Sequence, residues 1–98
     1  MTEARGERQV CRLILFVAGR EANSTRAREN LDRIRGTYLN GRCELQIIDV
    51  LEDYRTALRH KVLVTPCLVM TEPGPPVQIA GTLHDEEKVR AALRLPSE

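Results

Sequence analysis

The chain has 98 residues, 42% of them apolar and 30% charged, and its fifteen Lys and Arg against fourteen Asp and Glu leave a net charge of +1. That length suits one domain able to fold without a metal or a disulfide framework, and that charge balance gives no long-range field to gather nucleic acid or an anionic membrane. Phe16, Tyr38 and Tyr54 are the only aromatics, so stacking against bases has little to draw on either.

No apolar run approaches the twenty or so residues that span a bilayer, and the N-terminal MTEARGERQ is charged where a signal peptide needs an apolar stretch. A soluble cytoplasmic protein is expected. Cys11, Cys43 and Cys67 are odd in number and lack C-x-x-C spacing, so they point to neither a disulfide scaffold nor a zinc site and read as small buried apolar residues.

Residues 1–9 carry charge without periodicity and read as a flexible tail ahead of a single domain over 10–95. Val10 to Ala18 is an almost continuous apolar run, the pattern of a strand covered on both faces. Asn23 or Ser24 is placed to cap the following helix, in which Ala27, Leu31 and Ile34 share one face, Arg28–Asp32 and Glu29–Arg33 pair across the other, and Gly36 is the stop. Cys43 to Val50 is a second strand, parallel to the first through the helical crossover.

A short helix is expected from about Asp53, its cap, to His60, with Tyr54, Ala57, Leu58 and Lys61 or Val62 at helical spacing. Val64-Thr65-Pro66 precedes a third strand, Cys67–Thr71, and Glu72-Pro73-Gly74-Pro75-Pro76 is a turn leading to Val77–Ala80, the second arm of a hairpin. Asp85 caps a last helix that has Glu86 and Glu87 in its first turn and Val89, Ala92 and Leu93 as its apolar stripe, and Pro96 closes the chain. The order βαβαββα with a proline before the third strand is the thioredoxin-like arrangement, in which that proline, here Pro66, is expected to be cis.

The chemistry of thioredoxin-like enzymes is missing from its usual place. A reactive cysteine belongs at the start of the first helix, where unsatisfied N–H groups and the helix dipole lower the thiol pKa, but that stretch reads Gly19-Arg20-Glu21-Ala22-Asn23-Ser24. Ser24 could activate glutathione in principle, though a helix cap is the plainer role for it. Cys11 and Cys43 can face each other on neighbouring strands, as an incidental buried pair or as a redox switch. His60 and His84 stand alone, without partners at metal-ligand spacing, and no phosphate-binding glycine loop is present, so no catalytic residue, cofactor or metal is expected.

Leu15-Phe16-Val17-Ala18-Gly19, Asn23-Ser24-x-Arg26-Ala27, Ile48-Asp49-Val50-Leu51, Lys61-Val62-Leu63-Val64-Thr65-Pro66 and Gly81-x-Leu83-x-Asp85-x-Glu87-Lys88-Val89 together resemble the circadian clock KaiB family over about residues 10–95. The resemblance implies a non-enzymatic regulator that docks onto the N-terminal ATPase ring of the hexameric ATPase KaiC, with KaiA-like and histidine-kinase proteins as further partners. It also implies two folds: a βαββααβ ground state that assembles as a tetramer, and a thioredoxin-like monomer that binds. Arg26 and Lys61 match basic positions the family turns toward its partner, and Thr65 and Pro66 shape the backbone beside that surface. Rival readings are an adaptor of the same fold that binds another kinase or ATPase outside a clock, and a thiol or glutathione enzyme acting through Cys67.

Two departures from the family pattern stand out. Val77-Gln78-Ile79 falls where the family usually has a basic pair, which removes charge from an expected contact. Ala92 and Arg94 fall where Gly and Asp are common, and both changes favour helix: about 1 kcal/mol for Ala over Gly, and for Arg a few tenths from propensity plus roughly 0.3 to 1 kcal/mol near a helix C-terminus. The sum, on the order of 2 kcal/mol, matters when two folds of one sequence differ by only a few, and it predicts a resting thioredoxin-like monomer rather than the tetramer.

Overall fold

The structure, a computed structural model, describes residues 11–39 and 43–94. The expected tail, Val10 and Pro96 lie outside the described residues. The elements are β1 (Cys11–Val17), α1 (Ala22–Ile34), a π-helical turn (Arg35–Leu39), β2 (Cys43–Asp49), α2 (Tyr54–Arg59), β3 (Cys67–Glu72), β4 (Val77–Ala80) and α3 (Glu86–Leu93). This is the thioredoxin-like order read from the sequence, and it ends in the helix Glu86–Leu93.

One four-stranded sheet runs β2-β1-β3-β4. β1 lies parallel to β2, as a helical crossover requires, and antiparallel to β3, which pairs antiparallel with β4. Side chains alternate across the sheet. Leu13, Leu15 and Val17 of β1 and Leu68 and Met70 of β3 join Ala27, Leu31 and Ile34 of α1 and Val89 and Leu93 of α3 in one core. Phe16, Cys67 and Val69 project the other way and pack with Ile48, Ala57 and Val62 in a second, smaller core.

Helix ends correct several expectations. Glu21 caps α1 instead of Asn23 or Ser24: its Oε1 accepts from the Ser24 N–H at 3.2 Å, and the helix starts at Ala22. Gly36 does not stop the chain's winding, because the π-helical turn carries it on through Leu39. That turn brings the Tyr38 ring under the Arg90 guanidinium of α3, 4.9 Å from the ring centroid. The expected pairs Arg28–Asp32 and Glu29–Arg33 do not form. The ion pairs found among the described residues are those of Arg12, with Glu44 at 3.7 Å and Glu72 at 3.4 Å.

The caps Asp53 and Asp85 stand where expected, accepting from the Thr56 and Lys88 N–H groups at 3.1 and 3.2 Å. α3 holds Ala92 inside it but ends before Arg94, whose backbone is left-handed at φ 60°. A residue in that conformation gains nothing from helix propensity, and Asp or Asn tolerates it better than Arg does. The propensity gain expected of Arg94 is therefore withdrawn, and only its charge beside the last carbonyls still favours the helix.

Cys67 is a small buried apolar residue as expected, but Cys11 and Cys43 differ from that reading. Cys11 and Cys43 are register partners on β1 and β2, with Cα atoms 4.3 Å apart, and their sulfurs are joined as a disulfide. Cys67 is free and buried.

Candidate docking surface

The C-terminal ends of β1 and β2 set up the surface from which α2 rises. Asp49, the last residue of β2, accepts through Oδ1 from the Gly19 N–H and from the Leu51 N–H, each at 3.0 Å. One carboxylate oxygen thus ties the turn after β1 to the turn after β2. Gly19 sits at φ +57°, and a Cβ there would lie 3.2 Å from Leu51 Cδ1, so the glycine serves both the backbone conformation and the close approach of Leu51.

Beyond this tie the chain leaves large apolar side chains in solvent. Leu51 is 73% exposed, Tyr54 59%, Leu58 61%, Leu63 88% and Val64 58%. Only Ala57 and Val62 of the expected helical stripe are buried, against Phe16 and Ile48, whereas Tyr54 and Leu58 line an open cleft of about 260 Å³ with Leu63, Val64 and Thr65. Contiguous exposed apolar surface of this kind marks an interaction site.

Lys61 lies in the same segment. It is exposed, stands at φ 59° directly after α2, and donates its N–H to the Leu58 carbonyl at 3.0 Å, which anchors its backbone where the chain leaves α2. Arg55 and Arg59 of α2 are exposed too. Arg26 is exposed on α1, and α1 and α2 pack on opposite faces of the sheet, so the structure does not bring Arg26 and Lys61 into one cluster.

Thr65 is half-buried, and Pro66, which follows it through a cis peptide bond, is buried and accepts from the Gly81 N–H at 2.9 Å. The loop carrying Leu63 and Val64 is thereby anchored to the residue that ends β4. Nothing in the sequence marks Asp49 plainly as a positioning residue. Its signal was there, a lone carboxylate ending an apolar strand, but its partners lie 30 residues back and two residues on.

The places where thiol or hydroxyl chemistry could occur are occupied structurally. Ser24 is fully buried; its Oγ accepts from the Ala18 N–H at 3.0 Å and donates to Glu21 Oε1 at 3.4 Å. Burial pushes the Cys67 thiol above its ordinary range, with a backbone hydrogen bond from Ile79 only partly opposing it. Among the described residues no cluster of His, Cys, Asp and Glu is placed to hold a metal, and no helix is long and apolar enough to cross a membrane.

Fold and surface together define a thioredoxin-like domain with a buried serine at the start of its first helix and an apolar surface raised on its second. The KaiB domain profile matches residues 14–95. The circadian clock oscillator protein KaiB of Picosynechococcus sp. is 42% identical over 83 residues, which span 85% of this chain and 80% of that protein. Its counterparts in Acaryochloris marina and Synechococcus elongatus are each 41% identical over 83 residues, covering 85% of this chain and 80% and 81% of their own lengths. The chain belongs to the KaiB family.

Among solved structures, the N-terminal domain of Synechococcus elongatus SasA superposes with a TM-score of 0.73 at 24% identity, over 96% of this chain and 89% of that one. The thioredoxin Deadhead of Drosophila melanogaster gives 0.70 at 18% identity, over 88% and 80%. At these identities the likeness establishes the thioredoxin-like fold.

Proposed function

We propose that this chain is a non-enzymatic, cytoplasmic clock regulator that docks onto the N-terminal ATPase ring of a KaiC-type hexamer through α2 and the loop 61–65. The observation that carries this reading is the open apolar surface of Leu51, Tyr54, Leu58, Leu63 and Val64, with the exposed Lys61 in the same segment. Apolar side chains in such a surface supply the binding energy once water is excluded, while the basic rim selects an acidic partner and speeds encounter. Arg26, on the opposite side of the sheet, belongs to this interface only if the partner wraps around the end of the domain.

The thioredoxin-like state is the binding form, and Ala92 supports it by about 1 kcal/mol over the glycine common in the family. With the charge of Arg94 the bias is on the order of 1 to 2 kcal/mol, smaller than the sequence suggested but enough to favour a resting monomer. A stable tetramer on size-exclusion chromatography would contradict that state. The buried, protonated Cys67 speaks against the thiol-enzyme rival.

The decisive experiment is titration of the chain against the host's KaiC homologue in ATP and in ADP, resolved on native gels. A complex that Lys61→Glu weakens supports the proposal. No complex in either nucleotide, or one indifferent to substitutions on the apolar surface, sinks it.

A further inference from the structure

We propose that the Cys11–Cys43 bridge is a reversible clasp through which a dithiol reductant controls how firmly the edge strand β2 is held to the sheet. Placement is the first reason. β2 lies at the sheet's edge and is bonded to β1 alone, and only two of its seven residues, Cys43 and Ile48, are buried. An edge strand with so few buried anchors sits at the low-stability end of a fold, where opening is local. One of its two buried anchors is covalent, and apart from the ladder to β1, the ties found at the start of the strand among the described residues are weak: a long 3.4 Å hydrogen bond from Arg35 Nη2 to the Cys43 carbonyl and an exposed Arg12–Glu44 ion pair at 3.7 Å.

Access is the second reason. Cys43 is buried at 4% exposure, whereas Cys11 is only partly buried at the margin of the larger core, so Cys11 is the more accessible end of the bridge. Exchange depends on access to the sulfur attacked. A thiolate of a thioredoxin-type dithiol attacks Sγ of Cys11; the Sγ–Sγ bond breaks, and Cys43 leaves as a thiolate and takes up a proton. The reductant's second thiolate then attacks its own sulfur in the mixed disulfide and releases the Cys11 thiolate, which is protonated in turn. Two electrons pass to the bridge, and the reductant ends as a disulfide.

Isolation from the third thiol is the last reason. Cys67 projects into the core on the other face of the sheet, away from the bridge, so the pair opens and closes without reshuffling. Opening loosens the first residues of β2 and bares backbone N–H and C=O groups at an edge that another strand can pair with. The surface on α2 stands at the opposite end of β1 and β2 and keeps its Asp49 tie, so the clasp acts on the edge and not on that surface.

The test is differential alkylation with mass spectrometry, and hydrogen exchange of the full chain, before and after treatment with dithiothreitol or with thioredoxin and its reductase. Air-equilibrated protein should show Cys11 and Cys43 protected as a bridge. After reduction both should alkylate while Cys67 stays slow, and the β2 amides bonded to β1 should exchange about tenfold faster with those of β3 unchanged. Free Cys11 and Cys43 thiols before reduction, resistance of the bridge to both reductants, or unchanged β2 exchange after reduction would each overturn the proposal. The double variant Cys11→Ser/Cys43→Ser should match the reduced protein and ignore thiols; if it fails to fold, the reduced natural chain still decides.

Discussion

On one side of the sheet α1 and α3 close completely over Leu13, Leu15, Val17, Leu68 and Met70, whereas on the other the six-residue α2 covers Phe16 and Val69 and leaves the rest open. The uncovered part of that second side is not uniform. Toward the start of β1 it is a cleft of about 360 Å³ in which the charged and polar side chains of Arg12, Glu44, Gln46, His60 and Thr71 stand beside Ile14 and Leu45. Toward the other end it is apolar, and that is where α2 stands. The closed side holds the fold together; the open side leaves apolar surface in solvent, where the proposed partner would dock.

The contrast breaks most plainly at Leu31, fully buried in the closed core. Leu31→Ala should cost about 2 to 5 kcal/mol in urea unfolding, because the cavity left between α1 and the sheet cannot collapse fully. A loss below about 1 kcal/mol would mean that this side is less tightly packed than its burial implies.

Asp49 sits on the boundary. Asp49→Ala orphans the Gly19 and Leu51 N–H groups and should cost about 1 to 3 kcal/mol of stability, and it should also weaken partner binding by letting Leu51 drift. Asp49→Asn, which keeps an acceptor oxygen, should restore most of both. Rescue by Asn but not by Asp49→Leu, which has similar bulk and no acceptor, is the readout that a mere packing role would not give.

Leu63 tests the open side. At 88% exposure, Leu63→Ser should leave stability within about 0.5 kcal/mol of the natural chain while weakening the proposed complex by about fivefold or more. Equal affinity in a binding titration would remove this side chain from the interface.

The smallest effect is expected in acid. Asp53 is held below the usual carboxylate range, first by the Thr56 hydroxyl and then by the Thr56 N–H, at the start of α2. A carboxylate with a depressed folded pKa adds stability above its unfolded pKa and loses it as pH falls through the folded value. α2 should therefore fray below about pH 4, and Asp53→Asn should flatten that acid limb in far-ultraviolet circular dichroism. An unchanged acid limb would show that the cap carries no charge-dependent share.

Much of this was legible in the residues. The apolar run of β1, the caps Asp53 and Asp85, the cis proline and the empty nucleophile position between Gly19 and Ser24 follow from local chemistry, since caps, turns and strand patterns answer to neighbours within a few positions. The family resemblance rested on such local matches and held. What went wrong was just as physical. Helical spacing placed Tyr54 and Leu58 with Ala57 and Val62, but a helix this short meets the sheet with one turn only, so half of its apolar residues have nothing to pack against.

By itself, then, the sequence determined the order of elements, the strand ends and the caps of α2 and α3, though not the ends of α1, and the absence of a thiol where this fold's enzymes carry one. Only the tertiary structure decided that Cys11 and Cys43 are register partners, that Asp49 joins two turns, and which side of the sheet stays open. Those facts depend on how residues about thirty apart are aligned across a ladder, and no local preference encodes that alignment.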